Sequence, residues 1–194
     1  MSYFREQLEG WLKMIEVRHV NRVLDVGGAS NPVTHRLLGF ENVKHYQILD
    51  NGTEPPRAGV EFIDFDINRD GSLVTAPTIK PADVVFCLEV FEYVYDPVTA
   101  IKNLSLWTAR DGILYASFPF VYPMHNPPGK DYLRYTEEGV RKLLEIGGFE
   151  AIDIIPRVGR NKSLLRQFYA MDGMHPRKDA TVDHVGYLVK AKRL

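Results

Sequence analysis

One stretch, residues 22–32, constrains what this chain of 194 residues can fold into more than any other. It reads RVLDVGGASNP. Its start, RVLDV, is mostly apolar and predicts a short strand buried inside a parallel sheet that carries helices on both faces. Gly27 and Gly28 follow directly and allow a tight turn, because glycine adopts positive φ without steric cost. This combination predicts an α/β protein.

The residues after the turn predict a place where a nucleotide-like ligand approaches the backbone. Ser30 or Asn31 can cap a helix, and Pro32 suits its first turn. A helix that starts after a glycine turn presents backbone amides to a ligand. Asp50 ends the next apolar run, YQIL. It stands about 20 residues past the turn, the spacing at which a carboxylate accepts hydrogen bonds from ribose hydroxyls.

The composition is that of a single globular domain, which we predict to span residues 1–194. Hydrophobic residues make up 45% and charged residues 25% of the chain. No apolar run approaches the roughly 20 residues that cross a bilayer, and the N-terminus lacks the pattern of a secretory signal, so we expect no membrane association. The sole cysteine, Cys87, excludes an internal disulfide and favours a cytoplasmic location.

The charge pattern gives little reason to expect nucleic acid as a partner. The formal net charge is −1. Residues 151–194 carry nine Lys and Arg against four Asp and Glu, which we interpret as a solvated basic face. The six histidines show no metal-ligand spacing, and one cysteine cannot form a thiolate cluster, so we expect no metal site.

Helix and strand patterns alternate along the chain. An amphipathic helix is predicted over residues 2–18, followed by a core over residues 20–155 and by a basic segment with the last strand over residues 156–194. Further strands are predicted at 46–50, 61–68, 82–88, 113–118, 151–155 and 186–191. Asp96 and Thr136 each predict the start of a helix. The alternation predicts a doubly wound sheet with ligands beyond the carboxyl ends of its strands.

Three ordered motifs resemble the class I S-adenosylmethionine-dependent methyltransferases, in particular the group labelled type 11. In the first motif, Asp25 and Gly27 match the pattern DxGxGxG, while Ala29 and Asn31 replace its later glycines. The second, CLEVFEYVYDP, is similar to CLEVxEHVxDP, with Tyr93 in place of the histidine. The third, DYLRYTEEGVRKLLEIGGF, follows a family signature almost residue for residue.

The resemblance covers about residues 20–155 and implies both a fold and a cofactor. The implied fold is a Rossmann-like, seven-stranded, mostly parallel sheet with one antiparallel strand and helices on both faces. The implied cofactor is S-adenosyl-L-methionine, with S-adenosyl-L-homocysteine as the product. The cofactor-binding residues implied by similarity are Asp25, Gly27, Gly28, Ala29, Asp50, Asp66, Ile67 and Glu89. Asp64 is the second candidate, after Asp66, for the contact with the adenine, and either aspartate can instead form a turn. The alternative role for Glu89 is to cap the following helix.

The acceptor side needs groups that position a nucleophile and accept its proton. Methyl transfer from a sulfonium is an in-line displacement, in which positioning can contribute roughly 7–11 kcal/mol. His125 and Tyr93 are the catalytic candidates, because an imidazole titrates near neutrality. An exposed loop histidine is the alternative for His125. Tyr122, Asp131 and Arg134 are the substrate-binding candidates, although Asp131 and Arg134 can instead pair with each other to hold the loop.

These patterns predict an enzyme that transfers a methyl group from S-adenosylmethionine to a small-molecule acceptor, with oxygen as the candidate acceptor atom. The loop over residues 120–134 is predicted to form part of the acceptor pocket. The alternative is a non-catalytic binding or regulatory protein of the same fold, which the altered glycine turn and Tyr93 favour. A nicotinamide-dependent oxidoreductase fits worse, because Ala29 and Pro32 stand where its pattern has glycines. The acceptor and the oligomeric state stay open.

Overall fold

A computed structural model describes residues 2–51, 60–73, 79–124, 129–160, 171 and 183–194. The helices in these ranges are α1 (Tyr3–Leu12), α2 (Pro97–Trp107) and α3 (Glu137–Ile146). The strands are β1 (Arg22–Val26), β2 (His45–Asp50), β3 (Glu61–Asp64), β4 (Ala82–Cys87), β5 (Thr108–Pro119), β6 (Phe149–Val158) and β7 (His184–Arg193). The predicted short crossover after β2 and the apolar segment around Leu164 fall mainly or wholly outside the described residues.

The seven strands form one sheet in the order β3-β2-β1-β4-β5-β7-β6. Neighbouring strands from β3 to β5 pair in parallel, whereas β7 pairs antiparallel with both β5 and β6. The predicted mostly parallel sheet with one reversed strand is therefore confirmed. Because β1 to β5 run in the same direction, their carboxyl ends meet at one edge, where the loops that follow them gather.

Helices cover both faces of the sheet, as predicted. On one face α1 buries Leu8, Trp11 and Leu12 against residues of β1, β4, β5 and β7. On the other face α2 and α3 pack over the opposite side chains of the same strands. Within β4 the alternation is direct, because Phe86 belongs to the first cluster and Val85 to the second. No helix among the described residues is long and apolar enough to cross a membrane.

The first helix is shorter than predicted. It ends at Leu12, whereas the sequence pattern predicted a helix over residues 2–18. Ile15 keeps its place in the core, yet its carbonyl accepts a hydrogen bond from Leu38 N–H at 3.0 Å. Val17 N–H in turn donates to Leu38 O at 2.8 Å. These backbone groups form a short parallel bridge to a distant segment, and a helix would have consumed them internally.

The helix predicted after the glycine turn is absent from this described part of the chain. Gly27 has a φ of 79°, as the predicted turn requires. Only two 3₁₀ turns, Thr34–Arg36 and Phe40–Asn42, follow it before β2, and neither has a side-chain cap. Val33 N–H donates instead to Asp25 Oδ2 at 2.9 Å. Because the chain is anchored to β1 in this way, the prediction of a helix capped by Ser30 or Asn31 was wrong.

Both later helix starts are confirmed by their caps. Asp96 Oδ1 accepts a hydrogen bond from Thr99 N–H at 3.1 Å, and Thr136 Oγ1 accepts one from Gly139 N–H at 3.1 Å. The ends of several strands differ from the bounds predicted from the sequence. β3 ends at Asp64, β5 begins at Thr108, and both β6 and β7 extend beyond their predicted bounds. The extensions of β6 and β7 support each other, because the two strands pair from Phe149 and Arg193 to Val158 and His184, whereas the early start of β5 pairs Thr108 with Ala82 of β4.

Candidate active site

A cavity of about 890 Å³ opens at the carboxyl edge of the parallel strands. Its walls come from the loops after β1 to β4, from the start of α1 and from the segment that follows β5. This volume lies in the range of small-molecule sites, and the position is where open α/β sheets bind ligands. The cavity therefore unites the segments that the sequence analysis selected separately.

The turn after β1 is shaped by close contacts that exclude larger side chains. A Cβ on Gly27 would lie 2.3 Å from Val90 Cγ2, in addition to the strain of its positive φ. A Cβ on Gly28 would lie 2.4 Å from the Asp25 carboxyl group. Both glycines line the cavity. The turn therefore brings its own backbone against the ligand space, and Gly27 and Gly28 stand where they were predicted.

Asp50 joins the end of β2 to the glycine turn. Its Oδ2 accepts a hydrogen bond from Ala29 N–H at 3.1 Å, and its Oδ1 accepts one from Asn51 N–H at 2.8 Å. Asp50 is half-buried and lines the cavity. A carboxylate has about four acceptor positions, so these two bonds leave capacity for a ligand.

Asp25 lies beneath the turn and supports it. Its side chain is buried, and Oδ2 accepts hydrogen bonds from Val33 N–H and from the Tyr46 hydroxyl at 2.7 Å. Burial raises the pKa of the Asp25 carboxyl group to about 6, although both hydrogen bonds lower it. The same burial and the neighbouring carboxylate raise the pKa of Tyr46. The residue also borders the cavity, so its predicted cofactor role would act through the shape of the turn.

The Asp25 carboxyl group predicts a specific pH dependence of stability. Its pKa is raised from 3.8 in the unfolded reference to about 6, so the folded protein binds this proton more tightly. The resulting stabilisation is fully present below about pH 4 and is lost as the pH rises through about 6. We therefore expect the unfolding free energy of the wild type, relative to Asp25→Asn, to fall by about 3 kcal/mol between about pH 4 and pH 7.

Urea unfolding of both proteins across this pH range measures the difference. Tyr46→Phe serves as the internal control. The Tyr46 hydrogen bond lowers the pKa of Asp25. Its loss in Tyr46→Phe therefore raises that pKa and moves the decline in stability to higher pH. A difference between wild type and Asp25→Asn that does not vary with pH would show that Asp25 titrates normally.

Glu89 is held in a strained position just beyond β4. Its φ of 56° is unusual for a residue other than glycine. Its N–H donates to Ser117 Oγ at 2.7 Å, and its Oε1 accepts from Ser117 Oγ at 2.8 Å and from Arg157 Nη1 at 2.6 Å. These contacts are not those of a helix cap, which was the alternative role predicted for Glu89. The side chain lines the cavity, and its bonds in the described residues go to Oε1.

Arg157 does not line the cavity but contacts two residues that do, Glu89 and Phe4, and it was not predicted from the sequence. Its side chain is 1% exposed although it carries a guanidinium group. Besides the pair with Glu89, its Nη2 donates to Phe4 O at 2.6 Å, and the guanidinium lies 3.0 Å from the centre of the Phe4 ring. Burial lowers the pKa of Arg157, and the Glu89 carboxylate opposes that shift. Arg157 thereby connects the start of α1 to the residue beyond β4.

The loop after β3 places Asp66 and Ile67 at the cavity. Asp66 Oδ1 accepts two hydrogen bonds from Asn68, at 2.9 Å from its N–H and 2.8 Å from its Nδ2, so the turn-forming role is present. Ile67 O accepts a hydrogen bond from Asn103 Nδ2 at 2.9 Å. Asp64, the second choice in the sequence, is exposed and does not line the cavity.

Tyr93 is the one of the two catalytic candidates that lies within the described residues. Tyr93 lines the cavity. Burial, together with the nearby Glu92 and Asp131 carboxylates, raises the pKa of the Tyr93 phenol. A phenol with a raised pKa keeps its proton near neutrality, so Tyr93 suits a hydrogen-bond donor better than a base. His125 lies outside the described residues and stays a prediction.

Asp131 and Arg134 form the pair that the sequence analysis offered as an alternative to substrate contact. Two bonds join the guanidinium to the carboxylate, at 2.5 Å and 2.7 Å. Arg134 also donates to the carbonyls of Tyr122 at 3.3 Å and Pro123 at 3.2 Å. Tyr122 lines the cavity, whereas Asp131 and Arg134 do not. These two residues therefore hold the loop that carries Tyr122.

A buried acid beside this pair was also missed. Glu92 is 3% exposed, and burial together with the Glu89 carboxylate raises its pKa to about 7. Arg134 and Arg157 oppose that shift. In the sequence Glu92 had no signal beyond its place in the motif. Within the described residues, no group of three or more His, Cys, Asp or Glu side chains is arranged to hold a metal ion.

The seven-stranded sheet has the class I S-adenosylmethionine-dependent methyltransferase fold, which solved structures matching nearly the whole chain share. The residues present fit S-adenosylmethionine as a ligand, because a close backbone turn and the carboxylates of Asp50 and Glu89 border one cavity. No protein-family model matches the chain, and no curated protein matches its sequence. The likeness is therefore one of structure.

Three solved structures illustrate the likeness. The N-methyltransferase NodS from Bradyrhizobium japonicum WM9, in complex with S-adenosyl-l-homocysteine, matches with a TM-score of 0.64 and 15% identity over 98% of this chain and 87% of that one. The 1,6-didemethyltoxoflavin-N1-methyltransferase from Burkholderia thailandensis matches with a TM-score of 0.62 and 16% identity over 99% of this chain and 78% of that one. The [4+2]-cyclase SpnF matches with a TM-score of 0.62 and 15% identity over 98% of this chain and 80% of that one. At these identities the likeness establishes the fold.

Proposed function

We propose that this protein is an enzyme that transfers a methyl group from S-adenosylmethionine to a small-molecule acceptor. The observation that carries the proposal is the convergence of the glycine turn, Asp50 and Glu89 on one cavity at the carboxyl edge of the sheet. Backbone at close approach and carboxylates with remaining acceptor capacity suit a ligand that presents hydroxyl and ammonium donors. We place the protein in the cytoplasm, on the basis of its sole cysteine, Cys87, which is buried.

The structural neighbours support the proposal to different degrees. Two are named as N-methyltransferases and were crystallised with S-adenosylhomocysteine. SpnF is named as a [4+2]-cyclase, so the fold itself does not determine the reaction. The activity must therefore rest on the residues of the site.

We assign the cofactor side as follows. Asp50 accepts hydrogen bonds from the ribose hydroxyls, and Glu89 accepts one from the ammonium group through Oε2. The loop of Asp66 and Ile67 contacts the adenine. When bound, S-adenosylmethionine would supply an activated methyl group, since loss of the methyl converts its sulfonium to a neutral thioether. Asp25 acts beneath the turn and has no direct contact in this assignment.

The acceptor side completes the proposal. Tyr93 donates a hydrogen bond that orients the acceptor, and His125 accepts the proton that the acceptor loses. The acceptor atom is oxygen in the hypothesis drawn from the sequence, whereas both neighbours above are named for transfer to nitrogen. An assay of tritium transfer from labelled S-adenosylmethionine to phenols and to amines distinguishes the two. Methyl transfer to either one separates the enzyme from its non-catalytic alternative.

The first test of the proposal is binding of S-adenosylhomocysteine. Because a ligand of the folded state stabilises it, we expect the melting temperature to rise by roughly 5–10 °C at about one hundred times Kd. Calorimetry with S-adenosylhomocysteine, S-adenosylmethionine and NAD in parallel gives the affinities. Binding of NAD alone, or no binding to a folded protein, would contradict the proposal.

The Asp50→Ala variant tests the cofactor assignment itself. Loss of charge-assisted hydrogen bonds should raise the Kd for S-adenosylhomocysteine by about 5- to 150-fold. Asp64→Ala is the matched control, because Asp64 pairs in register with Asp50 on the adjacent strand but is exposed and does not line the cavity. Equal affinities of the two variants would place the ribose elsewhere.

A further inference from the structure

We infer that the acceptor is a planar aromatic or heteroaromatic molecule, held by four tyrosines that line the same cavity. This inference rests on the proposed function and names the chemical class of its substrate. We call these residues, Tyr93, Tyr95, Tyr122 and Tyr132, the tyrosine wall. They come from two segments far apart in the chain, one beyond β4 and one beyond β5.

The outer part of the tyrosine wall exposes ring surface toward solvent. Tyr95 is 58% exposed and Tyr132 is 49% exposed. Their rings meet edge to face, with centroids 5.8 Å apart and planes at 81°. Single exposed aromatic residues are ordinary on protein surfaces, but a contacting pair at the mouth of a cavity offers both a face and an edge to a third ring.

The inner part of the tyrosine wall is in contact with the first helix. The rings of Tyr122 and Phe4 lie 4.6 Å apart at 38°, and Phe4 also lines the cavity. The Phe4 ring is covered on one side by the Arg157 guanidinium. Aromatic side chains therefore line the cavity at two places, the exposed Tyr95–Tyr132 pair and the start of α1, and the second place is close to the Glu89 end of the proposed cofactor site.

The backbone that carries these rings is fixed, so the surface is organised before a ligand binds. Tyr95 N–H donates to Asn68 Oδ1 at 2.9 Å, and Tyr132 N–H donates to Glu92 O at 2.7 Å. Tyr122 is held through its carbonyl by Arg134. Because these backbone groups are already anchored, less conformational entropy is lost when a ligand ring packs against the side chains.

A planar ring uses this surface in a way that a saturated ring does not. The electrostatic quadrupole of an aromatic ring makes stacked and edge-to-face contacts favourable beyond the area that they bury. A saturated ring of the same carbon skeleton buries similar apolar area but lacks the quadrupole. The tyrosine wall therefore selects for aromaticity, and its phenol groups can donate hydrogen bonds to ring substituents.

The test compares β-naphthol with its saturated counterpart, β-decalol, on protein saturated with S-adenosylhomocysteine. Calorimetry should show tighter binding of β-naphthol. Tyr95→Leu and Tyr132→Leu should each weaken that binding by about two- to tenfold, because each removes one aromatic contact and keeps apolar bulk. Tyr3→Leu is the matched control, since Tyr3 is an exposed tyrosine that does not line the cavity.

The outcomes separate this inference from the proposed function. Equal binding of the two alcohols, or an equal loss in the Tyr3→Leu control, would overturn the aromatic acceptor while S-adenosylhomocysteine still binds. Failure of S-adenosylhomocysteine to bind, with β-naphthol still preferred and still dependent on Tyr95 and Tyr132, would overturn the proposed function and leave the aromatic site standing. Unchanged affinity for S-adenosylhomocysteine in both tyrosine variants is expected.

Discussion

Replacement of Glu89 by alanine is expected to lower the free energy of unfolding by about 3 kcal/mol, because it leaves a buried cation without its counter-charge. Arg157 is 1% exposed, and its Nη1 lies 2.6 Å from Glu89 Oε1. Arg157 keeps its bond to Phe4 O and its contact with the Phe4 ring, so the loss falls at the low end of the range for broken buried pairs. Urea unfolding measures the change.

Three further variants interpret the result. Glu89→Gln keeps a side-chain oxygen for Arg157 and should cost less than Glu89→Ala. The double variant Glu89→Ala with Arg157→Met removes the uncompensated charge and should recover part of the lost stability. Glu145→Ala, in the exposed pair with Lys142, should change stability by no more than about 0.5 kcal/mol. If the double variant were as unstable as the sum of its two single variants, Glu89 and Arg157 would not be coupled.

Replacement of Asn103 by leucine is the second change with a large expected effect. Asn103 is 2% exposed and lies on the inner face of α2. Its Nδ2 donates to Ile67 O at 2.9 Å and to Arg69 O at 2.7 Å, and its Oδ1 accepts from Gly71 N–H at 2.8 Å. Leucine would leave three backbone groups without partners, at about 1–3 kcal/mol for each one that stays buried.

The same variant should weaken binding of S-adenosylhomocysteine, because the loop held by Asn103 carries Asp66 and Ile67 at the cavity. Unfolding experiments and calorimetry measure the two effects separately. Lys102→Leu introduces the same side chain at the neighbouring exposed position of α2 and serves as the control. Affinity that stays at the wild-type value in a destabilised but folded Asn103→Leu protein would show that this loop does not contact the ligand.

Features that depend on neighbouring residues were predictable from the sequence. The caps of Asp96 and Thr136 follow a rule that connects residues three positions apart, and both are present. Gly27 and Asp50 were found because a turn and an acid recur at fixed places after apolar strands. Through the resemblance, the motifs also predicted seven strands that are mostly parallel with one reversed, although the residues themselves specify only an alternation of strands and helices.

Features that depend on distant residues were not predictable. Ser30 and Pro32 are local signals for a helix, yet the chain after them is anchored elsewhere. Arg36 donates to both carboxylate oxygens of Glu9 on α1, at 3.0 Å and 2.9 Å, and its segment forms a single 3₁₀ turn. Tertiary contacts thus outweigh a modest local preference, which contributes only about 1 kcal/mol for a cap.

Arg157 and Asn103, two of the residues that were not predicted from the sequence, follow the same logic. Arg157 pairs with a residue 68 positions earlier, and Asn103 bonds to a residue 36 positions earlier. Neither stands in a spacing that indicates burial, because a polar residue within an apolar run usually marks the solvent side. Only the folded chain brings their partners to them.

The place of β7 in the sheet sets the order in which the protein can be assembled during synthesis. β7 is inserted between β5 and β6, so β6, which carries Arg157, joins the sheet only after residues 184–193 have left the ribosome. Until then Glu89 lacks its buried cation, and the start of α1 lacks the group that holds it. A nascent chain can form β1 to β5 early, but it can acquire a complete ligand site only after β7 has been synthesised.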